Sequence, residues 1–182
     1  MQIVPKGEGI TLPDSAAHGT VHATLSWETS VDLDLHCFAE GKGSPPKKAG
    51  FFGGLFGGGG KAASNVVAHV SFSNKRSPGI QLDQDSGVGD TLAGSRNEEN
   101  IHFDSEALTR YGKLHIVANI FGKTTNFGQY NGWVDVKCGD ETLRVPLDST
   151  ETGSWAHVAT IDNTGNTPRL LNMNSISSKS PF

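Results

Sequence analysis

Apolar residues recur at every second position along much of this chain. Val21, Ala23, Leu25 and Trp27 alternate with His22, Thr24 and Ser26, and because successive side chains of a strand point to opposite faces, this is the pattern of a strand with one buried side. Further short runs rich in β-branched and aromatic residues cover 66–73, 114–121, 131–138, 142–147 and 155–161, each bounded by turn residues. A helical pattern is confined to 104–110, Asp-Ser-Glu-Ala-Leu-Thr-Arg, with Asp104 placed to cap a turn or two. Many short strands, frequent Gly and Asn turns and at most one or two short helices predict an all-β fold, an antiparallel β-sandwich, in a single domain over 1–182.

One run breaks the alternation in an informative way. In Val31-Asp32-Leu33-Asp34-Leu35-His36-Cys37-Phe38, the apolar Val31, Leu33, Leu35 and Cys37 share one face, and Asp32 and Asp34 project together from the other. Two carboxylates on one face of one strand repel each other and are poor strand formers. A hard cation such as Ca²⁺, which takes several oxygen ligands at once, offsets that cost. A solvated strand face without a ligand is the other reading.

Two connections are long. Residues 41–64 are low in complexity, with a Pro pair, a Lys pair and nine glycines between 41 and 60. Phe51, Phe52, Leu55 and Phe56 stand among those glycines as a candidate contact patch for a protein partner, a second copy of the chain or a membrane surface, or else tuck back onto the sandwich. Lys47, Lys48 and Lys61 flank the patch and suit an anionic surface. Residues 78–100 are acidic and Gly-rich, and connections of this length within a domain are usually functional or mobile. From Thr164 the chain turns polar, consistent with a strand followed by a frayed tail over 175–182.

Composition narrows the function classes. Gly and Pro make 31 of 182 residues, short of the level of a disordered chain. A net charge of −4 argues against nucleic acid as the main partner. The first nine residues lack the basic and apolar regions of a signal peptide, and no apolar run reaches the ~20 residues of a membrane span. With only Cys37 and Cys138, one disulfide at most is possible and no zinc spacing is present, so a cytoplasmic location with free thiols is expected.

The 78–100 segment carries Asp83, Asp85, Asp90, Glu98 and Glu99, with Asn97 as a neutral oxygen donor. Acids alternating with glycines in Asp83-Gln84-Asp85-Ser86-Gly87-Val88-Gly89-Asp90 supply carboxylates and turned backbone carbonyls, though without the closing Glu or flanking helices of an EF-hand.

Several short motifs then fall in one order: Pro5-Lys6-Gly7-Glu8-Gly9-Ile10-Thr11-Leu12, Leu25-Ser26-Trp27-Glu28 with Asp32-Leu33-Asp34, Phe72-Ser73-Asn74 through Ser77-Pro78-Gly79, Gly89-Asp90 with Asn97-Glu98-Glu99, Asn126-Phe127-Gly128 and Ser149-Thr150-Glu151-Thr152. In this order, over almost the whole chain, they resemble the TerD family of tellurium-resistance and stress proteins.

The resemblance implies a β-sandwich whose two acidic segments converge on Ca²⁺. Its ligand candidates by matched position are Asp32, Asp34, Asp90, Glu98 and Glu99; Asp85 joins them from the chemistry of the loop. Thr91-Leu92-Ala93 and Ser95-Arg96 depart from the family pattern, and the Arg96 charge opposes a cation, which implies weaker binding or a single ion. The 41–64 insertion is a further departure.

No nucleophile elbow, phosphate loop or zinc motif is present. The seven histidines are scattered and mostly sit at alternating strand positions, where a structural role is the commoner one; His36, on the face of Asp34, is the one closest to a metal site. Gly128 is expected to supply a positive φ to the Asn-Phe-Gly turn, with Phe127 packing inward. The expectation is a non-enzymatic, Ca²⁺-binding stress-response or tellurium-resistance scaffold whose acidic loops the ion orders into an interaction surface. The alternative is a structural protein that self-assembles or attaches to a particle through the Gly/Phe insertion, without a required metal.

Overall fold

The computed structural model describes residues 1–13, 16, 19–28, 31–43, 65–83, 96–122 and 126–182. These residues form an all-β sandwich of two packed sheets. The first sheet holds β1 (Gln2–Ile3), β3 (Val21–Trp27), β6 (Arg76–Ser77), β7 (Ile80–Leu82), β8 (Asn97–Phe103), β10 (Gly132–Cys138) and β11 (Glu141–Leu147), in the spatial order β1-β11-β10-β3-β8-β7-β6. The second holds β2 (Gly9–Thr11), β4 (Asp32–Gly41), β5 (Val66–Val70), β9 (Tyr111–Phe121), β12 (Trp155–Asp162) and β13 (Arg169–Ser177), in the order β2-β13-β12-β9-β4-β5. Every pairing is antiparallel except that of β1 with β11.

The inward residues meet as one core. Leu25 and Trp27 of β3, Leu33, Leu35 and Cys37 of β4 and Leu114 and Ile116 of β9 are buried there, as the period-two patterns predict, and Ile101 and Phe103 of β8 join them. The N-terminal segment joins both sheets, β1 in the first and β2 in the second, with Val4 and Leu12 buried in the core. The polar C-terminal stretch is ordered strand through Ser177, and beyond it Phe182 stacks on His115 with ring centroids 4.3 Å apart.

Strand β8 is hidden in the sequence because its inward positions are partly polar. Asn97, Glu99, Ile101 and Phe103 all face inward and are buried, so the apolar alternation is visible only in its second half. The segment read as an acidic loop therefore begins and ends in strand, at Ile80–Leu82 and from Asn97.

Between β8 and β9 lies the short helix α1 (Ser105–Arg110). Asp104 caps it, its carboxylate accepting the N–H groups of Glu106 and Ala107. Gly79 packs against this cap with φ +72°, and a Cβ there would lie 2.2 Å from the Ala107 nitrogen.

Phe127 packs inward as expected, but Gly128 does not take a positive φ. The turn is a short 3₁₀ segment, Phe127–Gln129, and the glycine is required there by close approach: a Cβ would lie 3.0 Å from the Asp148 carbonyl oxygen. The left-handed residue of this region is Asn131, with φ 46°.

Candidate functional site

Strand β4 carries the first acidic segment. The indole N–H of Trp27, a core residue, donates to the Val31 carbonyl at 2.8 Å and so fixes the chain one residue before Asp32. From there Leu33, Leu35 and Cys37 enter the core, and Asp32, Asp34 and His36 occupy the outer face of the second sheet. Asp34 and His36 are nonetheless buried there, 5% and 3% exposed. Asp32 and Asp34 together line a surface cavity of about 190 Å³ with Phe72 and Phe121. Phe121 lies directly opposite Asp32 in the β4–β9 register, and both aromatic rings remain largely exposed at this cavity.

The second acidic segment reaches β4 from the other sheet. Glu99 faces inward from β8, and its Oε2 accepts the Leu35 backbone N–H at 2.6 Å. Strand β5 pairs with β4 only over Cys37–Glu40, so at Leu35 a glutamate side chain stands where a neighbouring strand would supply a carbonyl. The carboxylate is 2% exposed, and a buried, charge-assisted bond of this kind is among the stronger ones a backbone N–H makes.

Glu98 lies on the opposite face of β8, exposed and paired in register with Ser26. Adjacent residues of a strand cannot face the same way, so Glu98 and Glu99 do not come together. Arg96 is turned to the Trp133 ring, 4.5 Å from its centroid, and to Glu28 at 3.5 Å. Asp85 and Asp90 lie outside the described residues, as do Phe51, Phe52, Leu55 and Phe56. The carboxylates suit a hard cation by their chemistry, but such an ion takes six to eight oxygens. Among the described residues no group of three or more His, Cys, Asp or Glu side chains is placed to hold a metal.

His36 shares the face of Asp34 but is engaged on its other side. Its Nδ1 is 3.1 Å from His69 Nε2, and its ring lies 5.0 Å from that of Trp155. Beside it is a second group that the sequence did not bring together. His115 Nδ1 and His157 Nε2 each lie 2.9 Å from Thr160 Oγ1, and His115 Nε2 is 3.2 Å from Glu40 Oε1.

A bulge in β12 makes that second group possible. The register shifts between His157 and Ala159, so Val158 and Ala159 both enter the core, and His157 and Thr160, three apart, share the outer face. Phe182 covers these rings and Phe38. Burial, with a second imidazole alongside, pushes His36 and His157 each down to about 4. Burial also lowers His115, against the pull of Glu40, and lowers His69.

Cys37 and Cys138 are free and buried, and burial pushes both thiols upward, which leaves them poor nucleophiles. Among the described residues no helix is long and apolar enough to cross a membrane. No protein-family model matches this chain, and no curated protein matches it.

Proposed function

We propose that this chain is a non-enzymatic Ca²⁺-binding β-sandwich of the TerD type, acting in the cytoplasm as a stress-response or tellurium-resistance scaffold. The observation that carries the proposal is the contact of Glu99 with the Leu35 amide. It ties a carboxylate of the second acidic segment to the strand that bears Asp32 and Asp34. Asp32 and Asp34, which share a cavity, are the first ligand candidates, and Glu99 is the link between the sheets. Asp85 and Asp90 complete the proposed oxygen set, and Glu98, on the far face of β8, is the weakest member.

The role assigned to the ion is to order the acidic segment between β7 and β8 against β4 and so to build a surface for a protein partner. Buried, high-pKa thiols speak against direct tellurium chemistry at cysteine. Calorimetric titration with Ca²⁺ tests the proposal, on the wild type and on Asp32→Asn/Asp34→Asn. Binding must also raise the unfolding temperature by mass action. A wild type that gives neither heat nor thermal stabilisation ends the Ca²⁺ assignment.

A further inference from the structure

We propose that His36 Nδ1 and His69 Nε2 form a two-histidine site for a borderline divalent transition-metal ion, such as Zn²⁺ or Cu²⁺, on the outer face of the second sheet. The two nitrogens stand 3.1 Å apart. Metal–imidazole bonds of about 2.0–2.1 Å set two cis nitrogens roughly 2.9 Å apart at a right angle and roughly 3.3 Å apart at the tetrahedral angle. The observed separation falls between these values.

The rings are held in place for this. Phe38 stacks on His69 with centroids 4.1 Å apart and planes 8° apart, and Trp155 packs against His36 at 5.0 Å. Asn74 Nδ2 donates to the His69 carbonyl, fixing the backbone that carries the second ligand. Ligands fixed by packing lose little freedom when an ion binds.

As a hydrogen bond, the pair needs one ring to donate toward the other; as a chelate, both facing nitrogens present lone pairs. In the chelate the His36 ring proton sits on Nε2, which is buried with no hydrogen-bond partner among the described residues, so the metal–nitrogen bonds must offset one unsatisfied N–H. His69 is exposed, which gives an ion a way in and leaves room for water to complete its shell.

Imidazole nitrogen selects borderline ions over Ca²⁺, so this site is chemically distinct from the carboxylates of β4 and stands independently of the Ca²⁺ proposal. Titration of the full chain with ZnCl₂ and with CuCl₂, followed by calorimetry and by the Cu²⁺ spectrum, tests it. Wild type takes up one ion per chain with nitrogen ligation. His69→Gln, at an exposed position with little folding risk, weakens binding at least about tenfold. His22→Gln, which removes one ring of the His22–His102 pair on the other sheet, leaves Zn²⁺ binding unchanged. Absence of saturable binding overturns the proposal, as does binding that survives His69→Gln or that falls with His22→Gln instead.

Discussion

Glu99 of the first sheet accepts the backbone N–H of Leu35 in the second at 2.6 Å. A side chain thereby completes the edge of β4 where β5 no longer runs alongside it. An alanine at position 99 leaves that buried N–H without its acceptor, a loss of about 1–3 kcal/mol. Glutamine keeps an oxygen within reach and loses less. Urea denaturation of Glu99→Ala, Glu99→Gln and wild type should rank in that order of rising midpoint. An alanine variant as stable as wild type means the contact contributes nothing.

Gly79 is expected to tolerate no side chain. Its φ of +72° disfavours any L residue, and a Cβ would meet the Ala107 nitrogen at 2.2 Å, which is helix backbone and cannot rotate away. Gly79→Ala should therefore cost more than about 1 kcal/mol in thermal unfolding. Gly79 lines a different cavity from Asp32 and Asp34, so Ca²⁺ binding by the folded variant should match wild type.

Thr160 joins two imidazoles through one hydroxyl, 2.9 Å from each. Thr160→Val preserves shape and removes both bonds, leaving buried ring nitrogens unsatisfied, so a loss of roughly 1–3 kcal/mol is expected. Thr160→Ser keeps the hydroxyl and should recover most of it. Equal stability of the valine and serine variants would show that the hydroxyl is only filling space.

The buried His157 makes stability depend on pH in a defined window. Its folded pKa, about 4, lies below the ordinary 6.5. The unfolded chain thus binds a proton first as pH falls, and stability present above pH 6.5 is lost progressively down to about pH 4. At about 1.4 kcal/mol per pH unit this group alone accounts for up to roughly 3 kcal/mol. His157→Gln should reduce the slope between pH 6.5 and 4 without abolishing it, because His36, also at about 4, titrates across the same window; denaturant titration at each pH measures the change. An unchanged slope would locate the dependence in other groups.

Alternation made most of the sandwich legible. Strands β3, β4, β9, β10, β11 and β12 were readable because apolar residues at every second position have one physical solution, a half-buried strand. Strand β8 was not, because Asn97 and Glu99 take inward positions that a pattern of apolarity counts as exposed. The β12 bulge was equally invisible: Val158 and Ala159 are both inward, and nothing local in Trp-Ala-His-Val-Ala-Thr-Ile marks where the parity changes.

The same division applies to the sites. The sequence alone determined that Asp32 and Asp34 share a strand face, since that follows from the two-residue period of any strand. It also determined that Cys37 lies on the opposite, apolar face. Only the tertiary structure decided that Glu99 and not Glu98 reaches β4, because the parity of β8 relative to the core is set by Ile101 and Phe103 packing between the sheets. Only strand order decided that His36 meets His69 and that His115 meets His157. These pairs are 33 and 42 residues apart in sequence, and they are neighbours because β5, β4, β9 and β12 lie side by side in one sheet.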